Sequence, residues 1–199
     1  MNIGSYLRNM IQIVFSPARG WEDLEADEKR LARQREPEDA AGGDTFRRCF
    51  LPVAAVCSLT YLLRLFYGDA GGVVGAIVGV VVMFVSLFLA AMIARWVMQI
   101  ALPRLLAAYV ADEAEERMRV MNLICYSLTY IALVEAVANA VKVHMALFAF
   151  LPLYLVFIIW KGADYLRVAT ESVLMYVIVA SAATGGSAYL VLWLLRAVV

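Results

Sequence analysis

The chain has 199 residues, with 17 Lys and Arg balanced by 17 Asp and Glu for a formal net charge of zero. Hydrophobic residues make up 64% and charged residues only 17%, with a mean hydropathy of +0.78, where soluble domains carry roughly a quarter charged residues. That composition excludes an ordinary soluble domain, and the balanced charge argues against nucleic acid as a partner. An all-α, polytopic membrane bundle is the expected fold class.

The first helix is read from spacing. Ile3, Tyr6, Leu7, Met10, Ile11, Val14 and Phe15 recur along one helical face, which predicts an amphipathic helix packed against the membrane bundle, lying in the cytoplasmic interface, or both. Asn2, Ser5, Arg8, Asn9 and Gln12 interrupt the apolar residues, so no cleavable secretory signal is expected. Ser16-Pro17 then marks a break and a new start, with Pro17 suited to a first helical position. The second helix should run to about Arg35. It opens on Trp21-Glu22-Asp23-Leu24 and passes into a charged stretch, Glu25 to Arg35, with acids leading and bases trailing as the helix dipole favours. Such a stretch reads as solvated surface or as a docking surface for a cytoplasmic partner. Pro37 and Gly42-Gly43 mark a flexible connector, so residues 1–48 form a cytoplasmic segment and residues 49–199 the membrane domain.

Five apolar runs follow, at about 50–66, 73–94, 120–141, 145–160 and 173–195. Four reach the roughly 17 to 25 residues that a spanning helix needs. The run at 145–160 is the shortest and contains Pro152; only Lys142, Val143 and His144 separate it from its predecessor, which predicts a tight hairpin and five spans, with four the alternative if this run does not cross. Basic residues set the orientation. Of the 17, only Arg64, Lys142 and Arg196 fall on the side opposite the N-terminus, so the N-terminus is expected in the cytoplasm and the C-terminus outside. Arg95-Trp96 fits an anchor at the cytoplasmic boundary, where arginine can snorkel to headgroups. Val97 to Val110 should continue the second span and then lie along the interface.

The segment Phe15-Ser16-Pro17-Ala18-Arg19-Gly20-Trp21-Glu22-Asp23-Leu24, placed between an amphipathic opening and five apolar spans, resembles the bacterial branch of the Yip (Ypt-interacting protein) family. The likeness covers nearly the whole chain. A looser one lies at Cys125-Tyr126-Ser127-Leu128-Thr129-Tyr130, with Cys125 and Tyr130 where the family often has Gly and Pro. The resemblance implies a multi-pass protein of the bacterial inner membrane. Eukaryotic relatives are linked to Rab GTPases and vesicle traffic, but the acidic and aromatic segment associated with that role is absent, so Rab-related function is not carried over.

Ionisable residues inside apolar runs are costly and mark candidate sites. Glu135, Asn139 and Lys142 share one helix face, with Ser127 nearly on it two turns deeper. They predict either a carboxylate paired with Lys142 or another helix, or a polar cavity for an ion, proton or small solute. Candidate interfacial or partner-binding residues are Tyr6, Met10, Phe15, Pro17, Trp21, Arg95 and Trp96. Gly75 and Gly79 offer a small-residue step for close helix approach, as do Gly185-Gly186. Cys49, Cys57 and Cys125 lack paired spacing and are expected as buried thiols. No catalytic pair, phosphate loop or zinc ligand set is present in the sequence, so neither a cofactor nor an enzymatic activity is expected. The expected function is a membrane-organising or adaptor role through the N-terminal segment, with the lipid bilayer and a cytoplasmic or membrane protein as partners. The alternative is a small-solute or ion transporter built around Glu135.

Overall fold

The computed structural model describes residues 2–34, 45–68, 71–101, 103, 113–141 and 146–198. Seven helices account for nearly all of them: α1 (Ile3–Phe15), α2 (Pro17–Gln34), α3 (Phe46–Tyr67), α4 (Gly72–Ala101), α5 (Glu113–Ala140), α6 (Ala146–Tyr165) and α7 (Thr170–Ala197). Among the described residues, α3, α4, α7 and the Glu115–Ala140 portion of α5 are long and apolar enough to cross a membrane. The helix ends overrun the apolar runs because a helix need not stop where hydrocarbon does. Thus α4 continues to Ala101, and α5 begins among the charged residues Glu113, Glu115 and Glu116. Arg47 and Arg48 lie in the first turn of α3, and the expected connector, Glu36 to Asp44, lies outside the described residues.

The spans are not uniform α-helix. The opening of α3, Phe46–Phe50, is π-helical, and its Thr60–Leu63 stretch tightens to 3-10 geometry; α7 carries a π-helical stretch at Ala182–Gly186. Each departure loosens backbone hydrogen bonding that lipid cannot replace. Local hydroxyls serve those carbonyls: Thr60 donates to Cys57 O at 2.6 Å, and Thr184 donates to Ala180 O at 2.7 Å. Glycines set the closest helix approaches. A Cβ on Gly79 would lie 2.0 Å from the Tyr61 ring of α3, and one on Gly185 would lie 3.0 Å from Leu155 of α6. Gly79 and Gly185, one from each predicted small-residue step, therefore face another helix of this chain, whereas Gly186 is exposed. All three cysteines are buried free thiols.

α1 and α2 form an antiparallel hairpin. Asn2 caps α1 through Ser5 N–H at 2.8 Å, and the polar faces join through Arg8–Asp27 at 3.0 Å and Gln12–Asp23 at 3.2 Å. These are four-residue steps on both helices. Gly20 sits where the two backbones meet, and a Cβ there would lie 2.6 Å from both N and Cα of Ile13. Backbone cannot swing aside as a side chain can, so Gly20→Ala should destabilise by about 1–3 kcal/mol. Thermal unfolding in detergent checks this. Gly4→Ala is the control, since its nearest neighbour is 3.6 Å away.

Candidate functional site

The hairpin is seated on the bundle by one continuous set of buried aromatic and polar contacts. Tyr6, Met10 and Ile13 form the inner face of α1, and Trp21 and Leu24 that of α2; all are buried. The Tyr6 ring stacks on Tyr126 of α5 with centroids 4.6 Å apart, and its hydroxyl shares a 2.7 Å hydrogen bond with Thr129. Burial raises the Tyr6 phenol well above its ordinary pKa, so it stays neutral. Trp21 stacks on Tyr165 at 5.1 Å, meets Tyr126 edge-on, and donates its indole N–H to the Ile158 carbonyl of α6 at 3.0 Å. Gly162 makes room for it, a Cβ there falling 3.3 Å from the indole. At the hairpin tip, Tyr154 donates to the Val14 carbonyl at 2.8 Å, satisfying an acceptor in the last turn of α1.

Beyond this aromatic layer lies a charged one. Arg119 of α5 has only 6% of its side chain exposed and reaches Glu25 of α2 at 3.0 Å and Glu115 at 2.7 Å. It also donates to the carbonyl of Tyr165, an end-of-helix acceptor that no turn of α6 can use. Arg167, just past that helix, has a φ of 56° and lies 3.9 Å from Glu25 and 3.7 Å from Glu115. Arg119, Glu25, Arg167 and Glu115 thus alternate around one cluster, which Lys29 joins at 3.0 Å from Glu25. Next to it, Glu28 Oε1 accepts from Asn122 Nδ2 and from the Tyr165 hydroxyl at 2.7 Å. The other Glu28 oxygen and Asn122 Oδ1 are buried without a partner.

These surroundings pull the two carboxyls apart. Burial pushes Glu25 up, but hydrogen bonds from Lys29 and Arg119 outweigh it and hold its pKa below the ordinary 4.5. Burial wins at Glu28, whose pKa rises above 4.5 despite hydrogen bonds from Tyr165 and Asn122. The signs follow from linkage. Glu25 contributes stability above its ordinary pKa and loses it as pH falls through the lower folded value. Protonated Glu28 contributes below its ordinary pKa and loses that as pH rises through the higher folded value. Glu28→Gln should therefore raise the melting temperature at neutral pH, with the gain shrinking to nothing as the sample is acidified below about pH 4.5. A pH series of thermal melts on both proteins tests the convergence.

Spacing could have revealed part of this layer. Trp21, Leu24 and Glu28 fall at steps of three and seven on one face, so Glu28 shares the inward side of α2. The charged stretch from Glu25 is therefore solvated on one side only. Arg119 and Asn122 repeat the three-residue step on α5.

The intramembrane candidates separate. Glu135 pairs with Arg196 of α7 at 4.0 Å, the partner on another helix. Asn139 is buried, its amide 3.5 Å from Thr60 Oγ1 and 3.8 Å from the Met83 sulfur. Lys142 lies outside the described residues. Ser127 is fully buried, has no hydrogen-bond partner for its hydroxyl, and does not line the crevice beside Glu135. That crevice has room for about one water and is walled mainly by Met83, Leu87, Ile131 and Leu192. Ser86 also lines it but spends its hydroxyl on the Val82 carbonyl at 2.6 Å.

The interfacial candidates also divide. Tyr6, Met10, Pro17 and Trp21 are buried in the hairpin seat, whereas Phe15, Arg95 and Trp96 are exposed. Comparison with protein-family models, with curated proteins and with solved structures finds no match to this chain.

Proposed function

We propose that this chain is a non-enzymatic membrane protein of Yip type, which organises the membrane or recruits a cytoplasmic or membrane partner through a fixed N-terminal hairpin. The observation that carries this is the seat of α2. Trp21, Leu24, Glu25 and Glu28 are spent on the bundle and Asp23 on α1, while Glu22, Ala26 and Arg30 remain exposed on the outer side. A helix locked on one face and charged on the other offers a defined surface with little ordering cost on binding. The proposed setting is the bacterial inner membrane, with α3 to α7 as five spans, the N-terminus cytoplasmic and the C-terminus outside. Two groupings support that orientation: Arg119 and Arg167 gather with the hairpin, and Arg196 with Glu135 lies toward the other end of α5.

The transporter reading has less to rest on. The crevice beside Glu135 is small and mostly apolar, and the carboxylate already has a cationic partner. Two measurements on the full chain decide between the readings. A photoreactive side chain at Glu22 or Ala26 should crosslink in cells to one discrete species, and Glu22→Lys should abolish the adduct formed from position 26. In proteoliposomes, Glu135→Gln should leave proton and ion leakage unchanged. A coupled flux that disappears in Glu135→Gln would overturn the adaptor reading in favour of transport.

A further inference from the structure

α1 has a third face that neither the bundle nor α2 covers. Ile3, Leu7, Ile11 and Phe15 follow one another at four-residue steps and are 44%, 39%, 58% and 84% exposed. The stripe spans about 18 Å at the helical rise.

Its direction follows from what surrounds α1. Tyr6, Asn9 and Val14 cover about 12 Å of α1, yet all meet a short length of the bundle. Tyr6 touches Tyr126 and Thr129, Asn9 faces the Tyr126 phenol, and Val14 meets Tyr154, whose ring lies 6.0 Å from that of Tyr130. So α1 crosses α5 instead of running beside it, and it lies across the bundle axis. Its polar face, with Arg8 and Gln12, is turned to α2. α2 shares Tyr126 with α1 through Trp21, but its following turns engage Asn122 and Arg119, nearer the start of α5 than the Tyr126 and Thr129 contacts that hold α1. α2 is therefore on the aqueous side of α1, and the stripe, set away from both α2 and the bundle, is turned toward the bilayer.

We propose that α1 is a lipid-binding helix, its Ile3–Leu7–Ile11–Phe15 stripe seated among the acyl chains of the cytoplasmic leaflet. The inference rests on the membrane orientation proposed above. The tip that carries Phe15 is held beside Tyr154 of α6, and Leu153 and Val156 flanking Tyr154 on that helix are 62% and 40% exposed. Exposed apolar side chains of α6 thus lie near the tip of the stripe. Arg8, the one charged residue of α1, pairs with Asp27 of α2 on the far side, and Gln12 donates to Asp23 there, which is the segregation an in-plane helix requires.

Nitroxide labels at Ile11→Cys, Phe15→Cys and Glu22→Cys, in the full chain in phosphatidylcholine–phosphatidylglycerol vesicles, test the seat. The unsubstituted protein, with its three buried thiols, gives the background. Labels at 11 and 15 should collide several-fold more often with oxygen than with a water-soluble nickel chelate, and the label at 22 should show the reverse. If 11 and 15 meet the nickel chelate as freely as 22, the stripe is in water and the proposal falls. It falls equally if both are shielded from oxygen and nickel and broaden each other's spectra between chains, which means a second copy covers the stripe. External ascorbate on inside-out membrane vesicles should reduce the label at 22. Failure there, with 11 and 15 still oxygen-rich, would overturn the cytoplasmic orientation and leave the lipid contact standing.

Discussion

Trp21→Ala should cost about 3–5 kcal/mol and release the hairpin without unfolding the spans. The indole is 2% exposed, lies between the rings of Tyr126 and Tyr165, and donates to the Ile158 carbonyl. Alanine removes all of these at once. The cavity it leaves cannot close, because Gly162 has no side chain to fill it and Tyr165 is held in place by its hydrogen bond to Glu28. Opening should be local, since α1 and α2 bury their inner faces only against the bundle surface, whereas α3 to α7 pack mutually. Amide exchange should rise across α1 and α2 and stay low in α5. Proteolysis after Lys29 or Arg30 should accelerate, while the melt of the spans shifts much less. Trp21→Phe keeps most of the ring contact and leaves out the N–H, so it should cost about 1 kcal/mol from the missing hydrogen bond. Equal protection of α1 and α2 in Trp21→Ala and the native chain would refute this account.

Four of the five apolar runs coincide with helices long and apolar enough to cross a membrane, and these were legible because each announces itself locally. A run of 22 mostly apolar residues such as Val73 to Ala94 needs no knowledge of the rest of the chain to be read as a candidate span. Helix starts were less legible, as at Glu113, because helical hydrogen bonding continues past the apolar residues, whereas the continuation of α4 past Arg95 to Ala101 was read from Val97 onward. The hairpin was half visible. Its α1 periodicity and the break at Ser16-Pro17 are local signals, and they match the two helices found. Which apolar residues face the rest of the protein and which are left exposed is not a local property: Tyr6 and Leu7 are neighbours, one fully buried and the other 39% exposed. The same holds for charge. Nothing beside Glu25 in sequence distinguishes it from Glu22, yet Arg119, 94 residues away, makes one a structural anchor and leaves the other at the surface. Glu135 was found by its cost in hydrocarbon, but its partner Arg196 could not be chosen over Lys142 without the packing of α7 on α5.

Arg119→Met should be the second large loss, about 3 kcal/mol, because it removes the one buried cation of the cluster and leaves Glu25 to the more exposed Lys29 and Arg167. The guanidinium joins three elements: Glu25 on α2, Glu115 on its own helix, and the terminal carbonyl of α6 at Tyr165. Methionine fills much of the volume, so the loss measures the polar contacts more than a cavity. The acids do not suffer equally. Glu115, with 43% of its side chain exposed, can turn to water, while Glu25, at 26%, is pressed by α2 against the bundle. Adding Glu25→Gln to Arg119→Met should therefore recover part of the stability, with a coupling of at least about 1 kcal/mol in a double-mutant cycle. Arg119→Lys keeps the charge but not the planar fork that serves Glu25 and Tyr165 together, so it should fall between the native chain and methionine. Thermal unfolding of the five proteins in one detergent, read with amide exchange in α2, separates the outcomes. Additive losses for Arg119→Met and Glu25→Gln would show that the pair is a surface contact and that the aromatic layer alone holds the hairpin.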